Sequence, residues 1–152
     1  MSAAVAGLLM VVVSVPVWAS SAEVTRGLFD PFAGGPGLGY DTVSGEATMI
    51  RTASGETIVA VTVRGLTAGL TYGSHVHNQA CAVGDAGGHY SFGVAVPGGA
   101  LDGSEIWPGP FTANAAGHAV GWTRVGAAAG AEAVSVVIHA PGGAKIACAD
   151  LT

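Results

Sequence analysis

Charge is scarce in this chain, and positive charge scarcer. Five Lys plus Arg stand against ten Asp plus Glu in 152 residues, for a formal net charge of −5. A protein that grips a phosphate backbone or an anionic membrane surface needs clustered cations, so neither nucleic acid nor stable membrane association is expected. Beyond residue 17 there is no long apolar run, which leaves nothing later in the chain able to cross a bilayer. Amphipathic helical periodicity is missing as well. Residues 125–133 have helical composition, but their Gly and Ala content reads as a loose connection. The length leaves no room for a second domain, and with half the residues apolar a single domain can bury its own core.

What the chain does have is glycine, 25 of them, spread between short Val-, Thr- and Ile-rich runs. That is the composition of short strands joined by tight turns. Residues 46–51 and 57–64 read as a hairpin around the turn Ala53-Ser54-Gly55-Glu56, residues 117–124 and 133–140 as further strands, and 145–151 as the closing one. An all-β sandwich or barrel is the natural architecture. At the other end, the apolar run 3–17 followed by Val17-Trp18-Ala19 reads as a signal peptide over 1–19, with cleavage after Ala19 or Ala22. It departs from the usual pattern in having no basic residue before Arg26. The domain then spans 24–152, with 24–41 expected to be an irregular lead-in whose aromatics, Phe29 and Phe32, pack on the domain surface.

The chemistry concentrates in histidine. Ser74-His75-Val76-His77 sets two imidazoles i, i+2 in a strand-like stretch, and alternating strand side chains place them as neighbours on one face. His89 in Gly87-Gly88-His89-Tyr90 and His139 in Val136-Val137-Ile138-His139 each adjoin a run that can deliver them to the same place. His118, beside the turn Ala115-Ala116-Gly117, reads as exposed, and Trp107 and Trp122 as packing residues. In an oxidising compartment the two cysteines of a small domain usually pair, so a Cys81–Cys148 disulfide is expected. Thiolate ligation of copper or zinc is the alternative, although the histidines already offer a full donor set.

Taken in order, Gly65-Leu66-Thr67-Ala68-Gly69, Gly73-Ser74-His75-Val76-His77, Cys81, Gly88-His89, Ser135-Val136-Val137-Ile138-His139 and Ala144-Lys145-Ile146-Ala147-Cys148 resemble the copper/zinc superoxide dismutases over about residues 42–151. The resemblance implies a Greek-key β-barrel, copper held by His75, His77, His89 and His139, and a Cys81–Cys148 disulfide. It also implies superoxide as substrate, with oxygen and hydrogen peroxide as products. His89 would carry a proton as well as ligate, and Lys145 stands where the family has an arginine that attracts the anion. Lys is a mobile point charge where Arg is a planar fork, so weaker positioning and slower turnover are expected.

Two further departures matter. From Tyr90 to Gly117 there is no histidine and a single aspartate, Asp102, where the family's zinc ligands would lie, so zinc is not expected. The charged loop after the last copper ligand shrinks to Ala140-Pro141-Gly142-Gly143-Ala144, which would leave the metal more open to solvent. Together these losses look like the copper-only branch of the family. In that setting the far nitrogen of His89 needs a hydrogen-bonding partner, and Glu105, beside Trp107 in Ser104-Glu105-Ile106-Trp107, is the candidate. The expectation is therefore an exported copper-dependent superoxide dismutase, in a periplasm, a cell wall or the medium. Its alternative is a non-enzymatic copper chaperone or sink. Oligomeric state leaves no trace in the sequence.

Overall fold

The computed structural model describes residues 21–152; the expected leader, residues 1–19, lies outside the described residues. Eight strands follow in order: β1 (Glu23–Pro31), β2 (Ser44–Arg51), β3 (Thr57–Arg64), β4 (Thr71–His77), β5 (Phe111–Thr112), β6 (Ala119–Val125), β7 (Ser135–His139) and β8 (Lys145–Asp150). They form one sheet in the order β5-β4-β7-β8-β1-β2-β3-β6. Every pairing is antiparallel. β1, β2 and β3 are sequential neighbours, whereas β4, β6, β7 and β8 each cross to a distant partner, as Greek-key connections do. The two ends of the sheet approach each other where Gly121 of β6 lies against Phe111 of β5. A Cβ at Gly121 would sit 2.7 Å from the Phe111 ring, so only glycine lets the barrel nearly close there.

Strand β3 shows why these residues make strands. In Thr57-Ile58-Val59-Ala60-Val61-Thr62-Val63-Arg64 the odd positions point inward, and Val59, Val61 and Val63 are fully buried against Met49, Val125 and Ile146 in one core. Each such valine contributes about 1.5–3 kcal/mol of transfer free energy. The expected hairpin is β2–β3, paired from Ser44↔Arg64 to Arg51↔Thr57.

Three expectations are corrected. Residues 24–41 are not irregular throughout, because Glu23–Pro31 is strand β1, paired with both β2 and β8. Its pattern misleads: Leu28 is 72% exposed while Thr25, Gly27 and Phe29 face inward, so the apolar alternation runs against the burial. Phe29 and Phe32, expected at the surface, are buried. The 125–133 connection is not loose either. Arg51 donates to the carbonyls of Ala129, Gly130 and Ala133 at 2.9, 3.1 and 3.2 Å, and Thr57 accepts from the Ala129 N–H. Trp122, expected to pack, is 68% exposed, because on β6 the inward positions are Ala119, Gly121 and Val125.

Candidate metal centre

Strand β4 has two buried faces. Tyr72, Ser74 and Val76 point into the core, so period two turns His75 and His77 to the opposite face, where they are also buried. Strand β7 runs antiparallel beside it with His75 opposite Val137 and Gly73 opposite His139, which brings His139 diagonally next to His75. His89 arrives from the other side: it forms a β-bridge with His77, held by Tyr90 N–H to Val76 O at 2.8 Å and Asn78 N–H to Gly88 O at 3.1 Å. The result is the four-histidine cluster His75, His77, His89 and His139, with one ring nitrogen of each within 4.8 Å of the others. His118 is exposed and takes no part in it.

Three of the four rings are oriented by a hydrogen bond at Nδ1. His77 Nδ1 bonds Ala86 O at 3.2 Å, His139 Nδ1 bonds Gly143 O at 2.9 Å, and His89 Nδ1 bonds Glu105 Oε2 at 2.7 Å. With the proton on Nδ1, each ring turns an Nε2 lone pair inward. The Nε2 atoms of His77 and His139 consequently face each other 3.4 Å apart, an arrangement that repels unless a cation lies between them. The fourth ring differs. His75 Nδ1 is buried with no hydrogen-bond partner, and an orphan of that kind costs about 1–3 kcal/mol. Inward lone pairs and a buried orphan nitrogen fit a bound metal ion. An all-imidazole donor set suits zinc, copper, iron or nickel rather than magnesium or calcium.

Burial holds these imidazoles neutral. It pulls His75 down to about 3 and His77 to about 4, and His139 below the ordinary histidine value, with repulsion from the neighbouring histidines acting in the same direction. No proton then has to leave these three rings before a metal enters near neutral pH. For the metal-free fold the consequence is acid lability. An unfolded histidine protonates below about pH 6.5, whereas His75 and His77 in the fold resist protonation until about pH 3 to 4. Stability is therefore present above pH 6.5 and lost as pH falls through that window. Thermal melts of the metal-free protein should show a midpoint falling steadily from pH 7 to pH 4; a flat profile would contradict this assignment.

Glu105 sits on an extended segment alongside β4, where Val76 N–H bonds Ile106 O at 3.0 Å and Glu105 bridges to Ser91 and Ala100. Ile106 is fully buried, so Glu105 and Trp107 share the histidine side. One carboxylate oxygen, Oε2, accepts from both His89 Nδ1 and Trp107 Nε1, each at 2.7 Å.

Lys145, at the start of β8, reaches the turn Gly84-Asp85-Ala86-Gly87. Its Nζ donates to the carbonyls of Asp85 and Gly87, the latter at 3.0 Å, and lies 3.9 Å from the Asp85 carboxylate. All four turn residues have positive φ, including Asp85 and Ala86 at 60°, a conformation costing roughly 1–2 kcal/mol per non-glycine residue. The carbonyl between the two that bind Lys145, that of Ala86, is the one that receives His77. Lys145 thus secures the turn that orients His77 and leads into His89.

The disulfide Cys81–Cys148 is formed, with Cα atoms 5.8 Å apart, and ties the segment between His77 and His89 to β8. The Cys81 N–H also donates to Asp150 Oδ1 at 2.7 Å. Both sulfurs are consumed, so neither is a thiolate ligand. A cavity of about 460 Å³ opens onto His75, His89 and His139 beside Thr71, Pro110 and Pro141, with no Lys, Arg, Asp or Glu among its described lining residues. A larger one, about 950 Å³, borders the disulfide and contains none of the histidines, so the chemistry belongs to the smaller. The shortened loop after His139 is a tight turn closed by Ala140 N–H to Ala144 O at 2.8 Å.

Sequence reasoning missed the left-handed turn that serves His77 and the indole that shares Glu105. The glycines at 84 and 87 and the i, i+2 spacing of Glu105 and Trp107 are the signals that carried them.

Fold and site together define a disulfide-bonded, nearly closed β-barrel carrying a four-histidine cluster, three of its rings buried, that could hold a metal ion. That architecture is compatible with a copper/zinc superoxide dismutase-like fold. No protein-family model matches the chain, and no curated protein matches it.

Proposed function

We propose that this protein is an exported, copper-dependent superoxide dismutase with a single metal per chain. The observation that carries the reading is the cluster itself: four convergent imidazoles, three of them oriented at the far nitrogen, with no thiolate or carboxylate among the metal-facing donors. Nitrogen donors of this kind bind both oxidation states of copper. Bound copper would supply the one-electron couple by which two superoxide anions and two protons become one oxygen and one hydrogen peroxide.

The chain's own residues have the remaining tasks. His75, His77 and His139 hold neutral rings in place and exclude bulk water through their burial. His89, at 29% side-chain exposure the most open of the four, faces the cavity and is paired with Glu105; it is the group placed to pass a proton from solvent to the product peroxide. Lys145 contributes a positive charge close enough to His77 and His139 to oppose their protonation. Zinc has no proposed role. The disulfide is of the kind often found in exported proteins, and among the described residues no helix is long and apolar enough to cross a membrane.

A second reading, a copper chaperone or sink, is favoured by one observation. Lys145 spends its hydrogen bonds on the carbonyls of Asp85 and Gly87, and among the described residues no Lys or Arg lines the cavity. Lys145→Ala and Lys145→Arg separate the two. For the enzyme, superoxide decay in the copper-loaded Ala variant should slow by about tenfold at equal copper content, with recovery in the Arg variant, since the anion loses its local cation. Decay no faster than that of the metal-free protein in all three would leave Lys145 as a latch and favour the sink.

A further inference from the structure

We propose that Trp107 is a positioning residue of the metal centre, fixing Glu105 through its indole N–H and His75 through its ring face. This rests on the metal-binding part of the reading above and not on dismutation.

Two contacts carry the assignment. In the first, Glu105 Oε2 receives the Trp107 indole N–H and the His89 imidazole N–H at the same distance, 2.7 Å. A glutamate carries several rotatable bonds, and on an extended segment its carboxylate could turn toward solvent. The indole donor removes that freedom. It comes from the next residue on the same face, two positions along a backbone that Ile106 anchors to β4. Glu105 therefore presents a fixed acceptor to His89, and the tautomer that turns His89 Nε2 toward the cluster is held even before a metal arrives.

The second contact concerns His75. His77, His89 and His139 are each oriented by a bond at Nδ1, but His75 has none, and its Nδ1 is the buried orphan. Packing has to set its ring angle. The Trp107 ring lies against it with centroids 4.2 Å apart and planes at 38°, while meeting His89 edge-on at 6.0 Å and 88°. One side chain thus supports both rings that the carbonyls of the strands and turns do not reach.

Trp107→Phe keeps a ring beside His75 and deletes the N–H; Trp107→Leu deletes both. By chelator competition, copper affinity should fall about fivefold to tenfold in the Phe variant and up to about a hundredfold in the Leu variant, the range expected for groups that orient ligands. The Cu(II)/Cu(I) midpoint potential should move in the Phe variant in the same direction as in Glu105→Gln. Combining Trp107→Phe with Glu105→Gln should add nothing to Glu105→Gln alone, because the indole N–H acts on His89 only through the Glu105 carboxylate. Additive effects, or a Phe variant with wild-type affinity and potential, would overturn the proposal.

The metal-free wild-type protein gives an independent check that needs no variant to fold. The Trp107 indole N–H should exchange with solvent far more slowly than that of Trp122, which is 68% exposed. Equally fast exchange would overturn the indole–carboxylate contact. Wild-type protein that takes up no copper yet shows the protected indole would instead sink the proposed function while leaving this contact standing.

Discussion

His77→Ala should abolish metal binding at the four-histidine cluster while the barrel still folds, and the size of that expected loss follows from where the ring sits. His77 is 1% exposed, lies beside the His139 and His75 rings, and is bonded at Nδ1 to Ala86 O on a turn that Lys145 also secures. Alanine removes one of four clustered donors and leaves a three-nitrogen set with one position open to solvent. Removing a group that merely orients a ligand costs about 10–100-fold in affinity, so removing the ligand should cost more than about a hundredfold. Two measurements check this: chelator competition for affinity, and the thermal shift on adding metal. The wild-type protein should gain about 4 kcal/mol of apparent stability at a thousandfold excess over its Kd, and the variant should gain almost nothing. An unchanged thermal shift would mean that the ion sits elsewhere.

Removing the disulfide has the largest expected effect on the fold itself. Cys81 and Cys148 are 67 residues apart in sequence, and opening a loop of that length costs about 4 kcal/mol in the chain-entropy model. The double variant Cys81→Ser/Cys148→Ser should therefore lose about 4 kcal/mol in denaturant unfolding, a large part of the total for a domain of this size. It should also lose metal affinity. Cys81 lies in the segment that runs from His77 to His89, and Cys148 in β8 three residues after Lys145, so the bond fixes the turn from both sides. A variant equally stable but weaker for metal would place the disulfide's role in the site; one unchanged in both would contradict the account.

Much of this molecule was legible in the sequence, for reasons that differ from residue to residue. The β2–β3 hairpin could be read because β3 alternates cleanly, with Val59, Val61 and Val63 inward and Ala60, Thr62 and Arg64 outward. His75 and His77 could be paired because period two leaves no other option in a strand. Glu105 could be suspected because a metal-bound imidazole needs an acceptor at its far nitrogen and few acidic residues were within that stretch. What stayed hidden was set by tertiary context. Strand β1 has Leu28 and Val24 facing solvent and a glycine facing inward at Gly27, where a Cβ would lie 2.1 Å from the Asp150 carbonyl oxygen. No pattern of hydrophobicity marks that as a strand, since the constraint is the close approach of β8. Trp122 shows the reverse error: a large apolar residue reads as core, yet its neighbours Gly121 and Thr123 are the ones turned away from the outer face. The arrangement of Lys145 was hidden for a third reason. A single cation near a metal reads as an anion guide, and nothing in the sequence shows that two carbonyls of a left-handed turn would claim it.

As proposed, the four-histidine cluster is a copper centre that dismutates superoxide. Its most direct test is metal analysis of the protein expressed from about Ser20 and loaded with copper and zinc in competition, followed by superoxide decay on the same sample. One copper per chain, little zinc, and activity that chelation removes are expected. Stoichiometric zinc beside or in place of copper, or one copper with no acceleration of superoxide decay, would contradict it.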